Sequence, residues 1–148
     1  MLTVVVGPVP GERRGAVAAL IADAVGTADA AGRLLDRSVA VTALWSDDVV
    51  AAACVSVDAE CGKLRAMAVA EPFRGRGFGR ALVDEVTEQL GLEALEAETD
   101  ADSVGFYRSC GVSVESLGEK YPGVERFLAT RHTTTTATEP ARAGKTPP

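Results

Sequence analysis

The segment Arg74–Arg80, RGRGFGR, gathers three arginines and three glycines inside a chain of formal net charge −6. Apolar residues follow at helical spacing, at Ala81, Leu82, Val83, Val86 and Leu90, and Gly91 closes the run. That pattern predicts a helix over Gly77–Leu90 that starts inside the glycines. A helix start presents three adjacent backbone N–H groups with no partner, at the positive end of the helix dipole. Glycines there let an anion approach the backbone, because no Cβ intervenes. Arg74, Arg76 and Arg80 add charge around the same point. The chemistry this suits is the holding of a phosphorylated ligand; the plain alternative is a glycine-rich turn with solvated arginines.

The elements that must position this turn can be read around it. Leu2–Val6 is a β-branched run closed by Gly7 and Pro8, a strand. Gly11–Val25 carries Val17, Leu20, Ile21 and Ala24 at helical spacing, and a second helical piece covers Asp29–Asp36. SVAVTALW, SDD and VVAAACVSV read as strand, tight turn, strand. CGKLRAMAV is a third strand, with Leu64, Ala66 and Ala68 on one face, Arg65, Met67 and Val69 on the other, and Pro72 ending it. LEALEAE is strand-like with alternating acids. Asp102 or Ser103 caps a short helix through Ser109 that stops at Gly111. VSVESLG and VERFLAT flank the turn EKYPG as a closing hairpin. The order β, helices, β-β-β, helix, β, helix, β-β predicts a mixed α/β fold around a largely antiparallel sheet, not a doubly wound parallel one.

Length and composition set the frame. The 148 residues, 47% of them hydrophobic, suffice for one domain with a sizeable core. No apolar run approaches the ~20 residues of a membrane span. The short apolar run at the N-terminus has no basic leader, so it reads as a strand and the expected location is the cytoplasm. Cys54, Cys61 and Cys110 are an odd number without a C-x-x-C pair, which disfavours a disulfide framework or a cysteine metal site. His132 is the only histidine, so no internal Ser-His or Cys-His pair exists. A pI near 4.8 argues against broad nucleic-acid binding. Residues 132–148, HTTTTATEPARAGKTPP, are polar, Thr- and Pro-rich and aperiodic; they are expected to be a disordered tail after a domain over residues 1–131.

Among phosphate motifs, G-x-x-x-x-G-K-[ST] is absent, and G-x-G-x-x-G fails because Arg80 stands where the third glycine belongs. RGFGRALV begins like an RNA-recognition RNP1 strand but lacks the stacking aromatics and carries a helical period. The pattern that fits is R-x-x-G-x-G, Arg74-Gly75-Arg76-Gly77-Phe78-Gly79, after the strand LRAMAV and before a helix. In this the sequence resembles the GNAT superfamily of acetyl-CoA-dependent N-acetyltransferases, whose signature [QR]-x-x-G-x-[GA] binds the coenzyme A pyrophosphate through backbone N–H groups. TDADSVGFYRSCGV resembles that family's second landmark, N-x-x-A-x-x-F-Y-x-x-x-G-F, with Phe106, Tyr107 and Gly111 in register. The departures are Asp100 for Asn, Ser103 for Ala and Val112 for the final Phe. The resemblance covers roughly Leu2–Thr130.

The resemblance implies a GNAT-like fold, a central, mostly antiparallel mixed sheet flanked by helices. It implies acetyl-CoA as cosubstrate, no metal, and a small-molecule or peptide amine as acceptor, with no nucleic acid or membrane partner; a homodimer stays open. It implies that LRAMAV splays at its C-terminal end and pairs by backbone with the pantetheine arm, so that Met67, Ala68 and Val69 line the thioester. Arg74, Gly75, Arg76, Gly77, Phe78, Gly79 and Arg80 would hold the phosphates. Tyr107 is similar in position to the tyrosine that protonates the departing thiolate; the plain alternative is a tyrosine packed on the sheet. The base is open among Glu98, Asp100 and a water chain. Lacking an activated nucleophile, the chain favours direct transfer over a ping-pong route. A non-catalytic acyl-CoA-binding or sensory module on the same fold is the rival reading. Acidic groups near the acceptor regions suggest a cationic acceptor.

Overall fold

The computed structural model describes residues 1–132. Residues 133–148, most of the expected tail, lie outside the described residues; His132 itself ends the last strand. The elements follow the expected order: β1 (Leu2–Val6), α1 (Gly11–Val25), α2 (Ala28–Arg37), β2 (Val39–Trp45), β3 (Asp48–Asp58), β4 (Cys61–Val69), α3 (Phe78–Gln89), β5 (Ala94–Asp100), α4 (Val104–Ser109), β6 (Ser113–Tyr121) and β7 (Val124–His132). Together they form one mixed seven-stranded sheet in the order β1-β2-β3-β4-β5-β7-β6. Every pairing is antiparallel except β4 with β5.

Local chemistry explains most boundaries. Gly26, in the left-handed region, ends α1, and the Thr27 hydroxyl caps α2 by accepting from the Ala30 N–H at 3.1 Å. Ser46 and Asp47 both have positive φ, the geometry of a two-residue hairpin turn whose twist matches its strands, and Asp48 already pairs with Trp45. The short helix α4 departs in part from expectation. Ser103 holds its N-cap position, as one of the two expected residues, but makes no side-chain cap hydrogen bond; the capping side chain is that of Asp100, whose Oδ1 accepts from the Ser103 N–H at 3.0 Å at the head of a 3₁₀ turn over Ala101–Ser103.

The sheet carries a core on each face. On one face, Leu82 and Val86 of α3 meet Val41, Val55, Leu64 and Leu95 of the sheet, with Met67 packed against them. On the other face, Val17 and Ile21 of α1 and Leu35 of α2 meet Ala52, Cys54 and Ala66 of the sheet. Leu64 and Ala66 therefore sit on opposite faces, which corrects the expected alternation along this strand. The cause is a register step: Val55 pairs with Leu64 but Cys54 pairs with Ala66, which leaves Arg65 as an extra residue. A bulge of this kind reverses the facing of everything beyond it.

The parallel seam between β4 and β5 is short. Only Cys61–Lys63 pair with Ala94–Glu96, and beyond that point the strands part. Gly62 holds the seam tight, since a Cβ there would lie 2.6 Å from Leu92 Cδ1.

Candidate active site

The parting of β4 and β5 opens a cleft of about 840 Å³. Its walls are the C-terminal half of β4, the turn into α3, the end of β5, and α4. Of the residues expected at the site, Met67, Ala68, Val69, Arg74, Gly75, Gly77, Phe78, Gly79, Arg80 and Tyr107 all line it. Arg76 does not. Its guanidinium lies over the Phe73 ring, 5.4 Å from the centroid, outside the lining.

The glycine turn has the form an anion site needs, though its glycines differ in purpose. Gly75 and Gly77 have φ of +77° and +83°, which a side chain rarely tolerates, and an added Cβ at either would meet no atom within 4 Å. Space is therefore open above both. Ala81 donates to the Gly77 carbonyl at 3.0 Å, so α3 begins there. The N–H groups of Phe78, Gly79 and Arg80 have no acceptor among the described residues. They form the orphan first turn at the positive end of the helix. Gly79 is different. It has ordinary helical φ, and a Cβ there would meet Phe106 Cζ at 2.8 Å and Cε1 at 2.9 Å. Its role is the close contact of α3 with α4.

The arginines also divide. Arg74 Nε–H donates to the Val69 carbonyl at 2.9 Å and its Nη2 faces Asp23 Oδ2 of α1 at 3.5 Å. Arg74 thus fastens the end of β4 as well as facing the cleft. Arg80 lies against Gly111 at the end of α4, where φ is +79° and a Cβ would meet the guanidinium at 3.0 Å.

Tyr107, on α4, packs against the core and makes an edge-on contact with Phe106, ring centroids 5.3 Å apart. Burial pushes its phenol up to about 12, and the neighbouring Cys110 and Asp100 add to the rise. The hydroxyl stays protonated at neutral pH and has no hydrogen-bond partner among the described residues. Burial likewise raises the Cys110 thiol, so this cleft cysteine is a packed thiol rather than a thiolate nucleophile.

The base candidates are both engaged. Glu98 sits between Lys120 Nζ at 3.0 Å and Arg126 Nε at 3.2 Å. Hydrogen bonds from these two cations hold its carboxyl below the usual range. Asp100 is the cap of the 3₁₀ turn before α4. Neither the Arg126 partner nor the Asp23 contact is visible from local sequence. One strand-end acid meets an arginine 28 positions away, and the Arg74 partner is 51 positions away. Among the described residues no group of three or more His, Cys, Asp or Glu could hold a metal. No single described helix is long and apolar enough to cross a membrane.

The sequence profile of the acetyltransferase (GNAT) family matches residues 13–112, a span that includes β4, the glycine turn, α3 and the Phe106-Tyr107 segment. The chain belongs to this GNAT acetyltransferase family. Solved structures share its fold at low identity. A Desulfovibrio desulfuricans protein assigned to the GNAT family is 24% identical, with a TM-score of 0.70 over 89% of this chain and 99% of its own. An acetyltransferase of Bacillus subtilis, solved in complex with CoA, is 19% identical, with a TM-score of 0.69 over 90% and 99%. The ribosomal-protein-S18-alanine N-acetyltransferase of Escherichia coli is 16% identical, with a TM-score of 0.66 over 97% of both chains. No curated protein matches the sequence. The GNAT fold accounts for the mixed sheet, its parted middle and its flanking helices.

Proposed function

We propose that this GNAT protein moves an acetyl group from acetyl-CoA directly to the amine of a small molecule or peptide. The observation that carries the reading is the cleft itself. A sheet parted between β4 and β5 ends at the unpartnered N–H groups of Phe78, Gly79 and Arg80, with a protonated Tyr107 in its wall. The fit to a CoA pyrophosphate rests on Gly75 and Gly77, over which a Cβ would fill the open space. Support also comes from the CoA bound to the B. subtilis relative and from the amine acceptor of the E. coli one.

In this reading the backbone at the start of α3, with Arg74, Gly75, Gly77 and Arg80, holds the phosphates. Arg76 contributes long-range charge only. Past Lys63 the edge of β4 has no strand beside it, so Met67, Ala68 and Val69 offer their backbone to the pantetheine amides. Acetyl-CoA supplies an activated thioester. As the amine nitrogen bonds to the acetyl carbon and the C–S bond breaks, Tyr107 donates its proton to the departing sulfur. Glu98, held charged between two cations, is a poor base, so the amine's proton leaves through water in the open cleft. The three unpaired cysteines fit a reducing cytoplasm.

The test is to incubate the protein with acetyl-CoA and a panel of amines and to follow free thiol. Thiol release that depends on the amine supports transfer. Acetyl-CoA binding with no release against any amine would instead favour a non-catalytic acyl-CoA-binding module.

A further inference from the structure

We infer that Arg65 recognises the acceptor, and that the acceptor is an amine that also carries a carboxylate. The inference rests on the acetyl-transfer reading and adds the substrate class to it.

The position of Arg65 follows from the register. Val55 faces the core under α3, so its neighbour Ser56 faces the other side, with Cys54 and Ala52. Arg65 Nε–H donates to Ser56 Oγ at 3.1 Å, which places the arginine on that same side. On β5, Leu95 and Ala97 lie in the core under α3, so Glu98 and Asp100 also face the α1–α2 side. The cleft consequently has two charged ends. The glycine turn stands at the mouth of α3. Arg65, Glu98 and Arg126 line the opposite side, where α1 covers β3 and β4.

The charges on that second side are nearly all assigned. Arg74 takes Asp23, and Glu98 is shared by Lys120 and Arg126. Asp100 caps the turn before α4. Lys63 and Glu96 are register partners at the seam and do not line the cleft. Among the described residues, Arg65 and Arg80 are the cleft arginines with no carboxylate partner. Arg80 belongs to the phosphate end. Arg65 alone remains on the far side, its Nε fixed and both Nη groups open. A guanidinium tethered through Nε presents the paired donors that grip a carboxylate in two parallel hydrogen bonds. Glu98 and Asp100 on this side balance Lys120 and Arg126, so the net positive charge there is that of Arg65.

The sequence suggested a cationic acceptor from acids in the N-terminal helical segment and the closing hairpin; this side of the cleft points the other way, because its Glu98 is already shared by two cations. A bare amine, protonated in solution, would meet net positive charge there; an amine with its own carboxylate would be drawn in.

The experiment compares amino acids with their C-terminal amides as acceptors, in the parent protein, Arg65→Gln and Arg65→Glu. Binding of acetyl-CoA is followed in parallel through the fluorescence of Trp45, the single tryptophan, whose ring lies 5.6 Å from Phe78 at the start of α3. The acids should exceed the amides in kcat/KM by roughly tenfold or more, the size of a hydrogen bond to a charged group. Arg65→Gln should erase that preference through KM with acetyl-CoA binding unchanged, and Arg65→Glu should invert it. A parent enzyme that treats acids and amides alike, or a preference that survives Arg65→Gln, overturns the proposal. So does a raised KM in Arg65→Gln for acetyl-CoA but not for its 3′-dephospho form, which would give Arg65 to a cosubstrate phosphate. If no acceptor in the panel turns over, saturation-transfer NMR of N-acetylated amino acids against their amides reads the same preference, and equal or absent binding overturns it. Loss of acetyl-CoA binding in the parent sinks the acetyl-transfer reading; normal acetyl-CoA turnover without carboxylate preference sinks only this one.

Discussion

The two charged ends of the cleft are built in different ways. The end at α3 comes from one continuous segment, Phe73–Arg80, which presents backbone N–H groups and glycines that keep space open. The far side takes Arg65 from β4, Glu98 from β5 and Arg126 from β7, and depends on cross-strand register and one bulge. A site made of backbone at a helix start leaves a short spacing of residue types in the text. A site made of side chains from separate strands leaves none. Acceptor identity is therefore the property hardest to read from such a chain.

The largest effect should come from Tyr107, which lines the cleft on α4. Tyr107→Phe should lower kcat by roughly ten- to a thousand-fold, the lower part of what general acids contribute, with kcat/KM falling alongside and acetyl-CoA affinity unchanged. Unchanged turnover, with chemistry shown to be rate-limiting, would reduce Tyr107 to a packing residue. The same phenol gives a pH signature. Its folded-state pKa of about 12 lies above an unfolded value near 10. The folded state therefore holds the proton to higher pH, and no stability is lost through this group below pH ~10. As pH rises from about 10 to about 12 stability should fall, by up to about 2–3 kcal/mol. Chemical denaturation across that range should show a steeper slope in the parent than in Tyr107→Phe, where the buried thiols of Cys54 and Cys110 still contribute.

Gly79 and Gly77 sharpen the contrast within the α3 end. Gly79→Val should destabilise the fold by about 1–3 kcal/mol, because its side chain would drive into Phe106. Phe106→Ala in the same chain should recover part of the melting temperature. Gly77→Ala meets no neighbour and should cost only the ~1–2 kcal/mol of a left-handed residue, while acetyl-CoA affinity falls further than Gly79→Ala with Phe106→Ala would make it. Equal acetyl-CoA affinity in Gly77→Ala and the parent would remove the loop from the phosphate role. The smallest effect belongs to Glu98, whose far-side neighbour Arg65 is expected to act through KM. Glu98→Gln should leave kcat close to the parent value, against the hundred-fold or larger loss expected on removing a general base.

Most of the fold was legible because its signals are local. The β-branched run at Leu2–Val6, the Ser46-Asp47 turn and the period of α3 each lie within a few residues. So did the glycine turn and the Phe106-Tyr107 segment. What could not be read was set by distant partners. The bulge at Arg65 depends on how β3 meets β4, and it moved Leu64 to the face opposite Ala66. Asp100, read as a group near the reacting atoms, lines the cleft and also caps the 3₁₀ turn before α4, a contact the sequence reading did not include. Gly79 looked equivalent to the other glycines of the turn, but unlike them it is also held to glycine by an aromatic ring 27 residues further along.

The brevity of the β4–β5 seam bears on how the chain folds. On one side of it, β1 to β4 pair each with the next in sequence apart from the helical excursion after β1; on the other, β5, β6 and β7 occupy one short stretch. Hairpins with small loops close early, and pairing that spans a long intervening segment closes late. The contact of Cys61–Lys63 with Ala94–Glu96 must wait for the turn and α3 to bring the halves together. The seam belongs with β1–β2 and β5–β7 to the long-range pairings, which close after the β2–β3–β4 meander and the β6–β7 hairpin, and its completion depends on Gly62 settling beneath Leu92 and Leu95. Refolding kinetics should therefore be more sensitive to a bulky residue at Gly62 in the closing of the two halves than in the formation of either.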